Sequence, residues 1–391
     1  MCGVVGYFGP DVAPGDAEPL LRRMAHAVAH RGPDEMGLYA KDEIGLGHRR
    51  LSIVGLADGQ QPMLSDDGNF VISFNGEIFN YVELRAELVA RGERFRTGSD
   101  TEVLLRLLER DGEAALDRLN GDFAFALYDR TARRLTLARD RMGVRPLFYT
   151  WRHGTIVFAS EVKALLEYPG VVAEIDPEAL DQIFTLWSPI APRTAFKDIF
   201  ELPPGHLMVV ENGRASTRAW WTLDFPDIGT ADDCREDDVA AELLALLDDA
   251  TRIRLRADVP VGSYLSGGLD SSIVAALAAG HVGNRLRTFS VTFDSAEHDE
   301  SAYQAQMVAA LGTEHTSVAV AAADIARLFP AVVRAAERPM LRTGPAPMQR
   351  LSAHVRNAGY KVVLTGEGSD EIFAGYDIFR EAQVRRFVSR N

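Results

Sequence analysis

Leu265-Ser266-Gly267-Gly268-Leu269-Asp270-Ser271-Ser272 stands between an apolar run, Val259 to Leu265, and a helical pattern, Ser271 to Ala279. Two glycines let a backbone approach an anion closely. The helix that follows would offer unsatisfied N–H groups and a positive dipole end. The hydroxyls of Ser266, Ser271 and Ser272 add donors. No Gly-Lys-Ser/Thr closes the string, and its glycine spacing does not fit a dinucleotide fingerprint. A serine-capped strand-to-helix turn is its plainest reading. Outward from it the alternation continues, with a strand at Thr288 to Phe293 and a helix at Tyr303 to Leu311. A further strand, Lys361 to Leu364, runs into Thr365-Gly366-Glu367-Gly368-Ser369-Asp370-Glu371. Such alternation predicts a parallel sheet with helices on its faces, and open sheets of that kind bind ligands at their carboxyl edge. Glu367, Asp370 and Glu371 fall at that edge.

Upstream the pattern changes. Val4 to Phe8, Phe70 to Phe74, Phe123 to Tyr128, Leu135 to Ala138, Pro146 to Trp151 and Thr155 to Ala159 read as strands. Polar turns such as Arg152-His153-Gly154 separate several of them, which predicts antiparallel sheets. Helical periodicity appears at Ala17 to His30 and Glu102 to Glu109. Turn-rich Leu202-Pro203-Pro204-Gly205 and Trp221 to Asp233 mark a boundary between the halves.

The chain of 391 residues has room for two to three domains, at about 150 residues each. Its net charge of −14 disfavours nucleic acid and anionic membranes as partners. Two cysteines, Cys2 and Cys234, make no disulfide framework. No apolar run approaches the ~18 residues of a membrane span. The start, MCGVVGYFG, has no basic stretch before an apolar one, so a cytoplasmic protein is expected.

Cys2 directly follows the initiator methionine. Removal of Met1 would put a thiol and a free α-amine on one residue, the amine having an ordinary pKa of about 7.7–8.0. Nucleophile and general base would then share that residue. A small buried residue opening a strand is the structural alternative. Cys2-Gly3-Val4-Val5-Gly6 is joined by His30-Arg31-Gly32-Pro33-Asp34, His48-Arg49-Arg50-Leu51-Ser52-Ile53-Val54, Phe74-Asn75-Gly76-Glu77-Ile78-Phe79-Asn80 and Gly98-Ser99-Asp100-Thr101-Glu102. In these five segments, in order, the chain resembles class II glutamine amidotransferases. The resemblance implies Cys2 as nucleophile, with Asn75 and Gly76 as oxyanion donors. It implies glutamine binding by Arg50, Leu51, Ile53, Val54, Asn75, Gly76, Glu77 and Asp100. Arg50 would take the α-carboxylate, and Glu77 with Asp100 the α-ammonium. Asn75-Gly76 also suits a turn, and Asp100 a helix N-cap.

The serine-glycine string resembles the pyrophosphate loop of ATP pyrophosphatases. That implies ATP binding by Leu265, Ser266, Gly267, Gly268, Asp270, Ser271, Ser272, Val291, Gly366 and Glu367, with Asp270 and Asp370 sharing Mg²⁺. Together the halves resemble the glutamine-hydrolysing asparagine synthetase family. The implied fold is a four-layer αββα sandwich of the N-terminal nucleophile type, followed by an α/β parallel-sheet domain. The implied domains are 2–218 and 236–391, with a linker at 219–235. The implied reaction forms an amide on aspartate, consuming ATP and glutamine and releasing AMP and pyrophosphate. Arg342, Glu367 and Glu371 would meet the acceptor, and a homodimer is compatible with the family. The family's chains continue past the GEGSDE string with helices and a phosphate-contacting lysine, so the second half is expected to be incomplete as given. Two alternatives stay open: another carboxylate acceptor, or a regulatory glutamine- or nucleotide-binding protein without synthetase activity.

Overall fold

The computed structural model describes residues 1–225, 235–282, 286–295 and 299–389. Cys234 and most of the expected linker lie outside the described residues. The chain forms two compact units, Met1–Asp232 with Ala331–Arg342, and Asp233–Pro330 with Thr343–Asn391. The second half, expected to be continuous, is therefore interrupted: twelve residues from its middle fold with the first unit.

The first unit is built on two six-stranded antiparallel sheets. One runs, in spatial order, Phe200–Glu201, Phe148–Arg152, Thr155–Ala159, Gly3–Phe8, Ile44–Arg50 and Glu35–Lys41. The other runs Arg214–Ala219, His206–Glu211, Arg134–Arg139, Gly121–Asp129, Phe70–Ile78 and Met63–Leu64. Side chains alternate between the two faces of a strand, and here that alternation makes three cores. Between the sheets, Val4, Ile44 and Leu46 meet Val71, Ala126 and Tyr128. On one outer face, Val5 and Tyr7 pack on Leu21 and Met24 of the helix Pro14–Ala27. On the other, Phe74, Phe123 and Phe125 pack on Leu104, Leu107 and Leu108 of the helix Asp100–Asp111. The layers are αββα, as expected. Phe125 is fully buried, and truncating such a side chain to alanine costs about 3–5 kcal/mol.

Asn75 and Gly76 are not in a turn. The strand continues through them to Ile78, and they pair with Ala124 and Phe123. A Cβ on Gly76 would run into the Asp122 carbonyl oxygen and lie 2.8 Å from Phe123 Cα. Glycine therefore permits a close ladder at that position rather than a reversal. Two strands carry little sequence signal, Glu35–Lys41 and Ile44–Arg50. Gly37, Gly45 and Gly47 interrupt their alternation, and Gly45 is required because a Cβ would stand 2.6 Å from Tyr7 Cζ.

The second unit carries the expected parallel sheet, in the order Glu314–Val320, Arg287–Phe293, Val261–Tyr264 and Val362–Leu364. Helices Leu269–Val282, Ser301–Leu311 and Pro345–Asn357 accompany it. Its buried clusters are small, one around Ala278, Leu286 and Leu364, the other around Phe289, Leu351 and Val355. Leu244 and Leu246 on the helix Glu236–Arg254 are exposed, as are Ile378, Val384 and Val388 on the helix Asp377–Ser389. No helix among the described residues is long and apolar enough to cross a membrane.

Candidate functional site

Cys2 precedes the central strand Gly3–Phe8, whose partner Ile44–Arg50 leads directly into Leu51. Its Sγ accepts a hydrogen bond from the Leu51 N–H at 3.4 Å. Burial pushes the thiol up from its ordinary range. The Met1 amine beside it is brought down to about 5 by burial. The Cys2 carbonyl accepts from Arg31 Nε at 2.8 Å.

Asn75 is fully buried, and among the described residues neither its amide nitrogen nor its amide oxygen has a hydrogen-bond partner. Leaving such a group unpaired costs about 1–3 kcal/mol, so both atoms are available to a ligand. Glu77 follows two residues later on the same strand face. Burial first and the Asp100 charge second push its carboxyl up to about 7. Burial raises Asp100 to about 6, although its carboxylate accepts the Ile78 N–H at 3.0 Å. Two buried acids, both raised by burial and Glu77 also by the Asp100 charge, favour a cation between them. The helix N-cap is Ser99, which accepts the Thr101 N–H at 3.1 Å, and Asp100 sits in the first turn.

Arg50 is not the solvated side chain that its charge alone would allow. It is buried and donates to Glu35 and to the carbonyls of Val54, Leu56 and Gly55. It thereby shapes the loop that carries Leu51, Ile53 and Val54.

Asp140 and Arg145 carry no local motif, and His48 opens the segment around Arg50 with no role assigned from sequence. His48 is buried and brought to about 3 by burial, so it is neutral, and its Nε2 stands 3.0 Å from the Phe74 carbonyl oxygen. Asp140 is buried and accepts the main-chain N–H groups of Phe123, Met142, Val144 and Arg145 at 2.9–3.1 Å. The loop wound on it presents Arg145, whose positive charge acts on both Cys2 and Glu77. Only long-range pairing brings these residues together; a buried charge amid apolar strands is the one signal the sequence offers.

The second unit holds a cavity of about 420 Å³ at the carboxyl edge of its sheet. Leu265, Ser266, Asp270, Ser271, Val291, Gly366, Glu367 and Asp370 all line it. The loop is wound by its own serines. Ser266 N–H donates to Ser271 Oγ at 3.1 Å, and Gly268 N–H donates to Ser266 Oγ at 3.1 Å. Gly267 sits at φ +88°, in the left-handed region, and a Cβ would stand 2.8 Å from Tyr303 Cβ. A Cβ on Gly366 would lie 2.8 Å from Asp270 Cβ, so the two loops meet there. Gly267, Gly268 and Ser272 shape the loop without lining the cavity. Among the described residues no three His, Cys, Asp or Glu side chains could hold a metal by themselves. Asp270 and Asp370 facing one cavity fit Mg²⁺ shared with phosphate and water. Two acceptor candidates, Arg342 and Glu371, are not among the residues that line it. Arg342 stacks 3.8 Å over the Trp187 ring within the first unit. Glu371 accepts the Tyr376 hydroxyl at 3.1 Å and does not line the cavity.

Comparison with known proteins matches both halves of the chain. A glutamine amidotransferase domain model matches residues 1–221 and an asparagine synthase model matches residues 242–390. Putative asparagine synthetase [glutamine-hydrolyzing] 2 of Methanocaldococcus jannaschii is 32% identical over 400 residues, covering 96% of this chain and 76% of the relative. The chain belongs to the glutamine-hydrolysing asparagine synthetase family. Asparagine synthetase [glutamine-hydrolyzing] 1 of Bacillus subtilis is 36% identical over 97% of this chain, and amidase chyE of Penicillium rubens is 36% identical over 97%. The chain spans 60% of the length of each of those two relatives. Cys2 falls within the first matched stretch and the serine-glycine loop within the second.

Proposed function

We propose that this chain releases ammonia from glutamine at Cys2 and uses it to amidate a carboxylate activated by ATP, with aspartate the first candidate acceptor. The unpartnered amide of Asn75, buried two residues before Glu77, carries the glutaminase half of this reading. With Met1 removed, the α-amine takes the Cys2 proton, and the thiolate attacks the side-chain amide of glutamine. The developing oxyanion accepts hydrogen bonds from Asn75 Nδ2 and the Gly76 N–H. The amine returns its proton to the leaving ammonia, and water then cleaves the thioester. Glu77 and Asp100 hold the α-ammonium, and Arg50 with its loop holds the α-carboxylate.

At the second site the acceptor carboxylate attacks the α-phosphorus of ATP, pyrophosphate leaves, and ammonia displaces AMP from the mixed anhydride. The serine-glycine loop binds the departing pyrophosphate through main-chain and hydroxyl donors. Mg²⁺ held by Asp270 and Asp370 would neutralise phosphate charge. Val291 lines the same cavity and would pack on the adenine.

In a second reading the acceptor is a different carboxylate. The likeness to amidase chyE points that way. Pyrophosphate release with ATP, Mg²⁺ and a panel of carboxylates, with glutamine or ammonium, tests both. Stimulation by aspartate alone supports the first reading, and stimulation by another acid the second. ATP binding without release under every acceptor would overturn both in favour of a regulatory nucleotide-binding protein.

A further inference from the structure

We infer that Glu337 is a positioning residue for Cys2, acting from a segment remote in sequence through a buried chain of charges. The inference rests on the glutaminase reading above and adds to it a residue outside the segments that suggested that reading.

The geometry starts at the thiol. Once Met1 is removed, Cys2 has a single peptide link, so the partner of its carbonyl helps to fix the residue's main chain. That carbonyl accepts from Arg31 Nε at 2.8 Å. Arg31 is buried to 7% exposure and pairs through Nη1 with Glu161 at 3.0 Å. Glu161 also contacts His30 Nε2 at 3.0 Å and the Lys163 ammonium. Lys163 in turn pairs with Glu337 at 3.0 Å. Glu337 further accepts the main-chain N–H groups of Val162 and Lys163 at 2.6 and 2.7 Å.

Glu337 is thus bound three times to the short turn that follows Glu161. It holds that grip at φ +55°, a left-handed conformation that is uncommon for a residue with a side chain. Its side chain is 9% exposed. Ser160, immediately before Glu161, is locked to the N-terminal strand: Val4 N–H donates to its Oγ at 2.9 Å and its own N–H donates to the Val4 carbonyl at 2.8 Å. The Ser160–Lys163 turn is therefore held by the strand on one side and by Glu337 on the other. Arg31 transmits the turn's position to Cys2. A surface ion pair would contribute little, but this set is largely buried and every carboxylate has more than one partner.

Displacing a nucleophile by a fraction of an ångström lowers turnover more than substrate affinity. In the full-length chain, Glu337→Ala and Lys163→Met should each lower glutaminase kcat about tenfold with KM within about twofold. Lys163→Arg should restore most of the loss. Alkylation separates positioning from general damage. A glutamine-shaped electrophile, 6-diazo-5-oxo-norleucine, should label Cys2 about tenfold more slowly in the variants. Iodoacetamide, which needs no alignment, should label at the wild-type rate. Should Glu337→Ala melt early, Glu337→Gln keeps an oxygen acceptor for the turn and carries the test. Unchanged kcat in Glu337→Gln and Glu337→Ala, with an active wild type, overturns the positioning role alone. Equal slowing with both electrophiles overturns it in favour of a purely structural role. A wild-type chain with Met1 removed and no glutaminase activity overturns the glutaminase reading itself and this inference with it.

Discussion

The two candidate sites are assembled in opposite ways. The thiol site draws Cys2, Leu51, Asn75, Asp100 and Arg145 from strands, a helix start and loops scattered over the first unit, and it closes over raised carboxyls and a buried amide. The phosphate-loop site is local. Two short segments, Leu265 to Ser271 and Thr365 to Asp370, supply Ser266, Asp270, Ser271, Thr365, Glu367 and Asp370 to its lining, and Ser266 and Glu367 are exposed. The chemistry accounts for the contrast. A thiol hydrolase needs protonation states that ordinary solvation does not provide, and burial is the means of shifting them. A nucleotide is large and brings its own charge, so its site needs accessible N–H and hydroxyl donors around open space.

That contrast can be broken one site at a time. The largest effect is expected at Asn75. Asn75→Ala should lower glutaminase kcat about 10²–10³-fold, the usual cost of losing one oxyanion donor, and leave ATP binding unchanged. Steady-state glutamate release and calorimetric ATP titration would check it. Gly267→Val should do the reverse. A Cβ at φ +88° meets Tyr303 and Gln304, and such backbone strain costs about 1–3 kcal/mol. ATP affinity should fall at least about tenfold while glutaminase turnover stays at wild type. Loss of both activities in either variant would show that the sites are not independent.

Protonation sharpens the comparison. Glu77 near 7 and Asp100 near 6 must be ionised to hold an ammonium. The kcat/KM for glutamine should therefore fall about tenfold from pH 8 to pH 6. In Glu77→Gln the upper inflection should vanish from the pH–rate profile. The smallest effect is on stability. Glu77 has its folded pKa raised from 4.5 to about 7, so its charge burdens the fold as pH rises through that window and not below it. Glu77→Gln should melt about 2–4 °C higher than wild type at pH 8 and equally at pH 4. Glu161 is the opposite case. Although burial opposes its charge, His30, Lys163 and Arg31 bring its carboxyl down to about 2. Its contribution to stability is present above pH 4.5 and fades as pH falls toward 2.

How much of this was legible depends on range. The serine-glycine loop and the αβ alternation around it are contiguous, so their chemistry reads directly from the chain. Cys2 is legible for the same reason. Asn75 and Gly76 were legible as residues but not as interior strand positions, because the ladder to Ala124 and Phe123 is invisible locally. Arg50 looked free because its partners are main-chain carbonyls of its own loop. Asp140, Glu161 and Glu337 stayed hidden because each acts through main-chain groups or charges that only tertiary structure brings near. The stacking of Arg342 on Trp187 is likewise invisible locally, because the two residues are far apart in the chain.

The central claim is that Cys2 is the nucleophile of a glutaminase whose base is its own amine. The direct measurement is glutamate release from glutamine by the processed chain, by Cys2→Ala, and by a chain that retains Met1. The account predicts turnover on the order of 1 s⁻¹ in the first and none above background in the other two. Hydrolysis that persists in Cys2→Ala, or that is undiminished with Met1 retained, would contradict it.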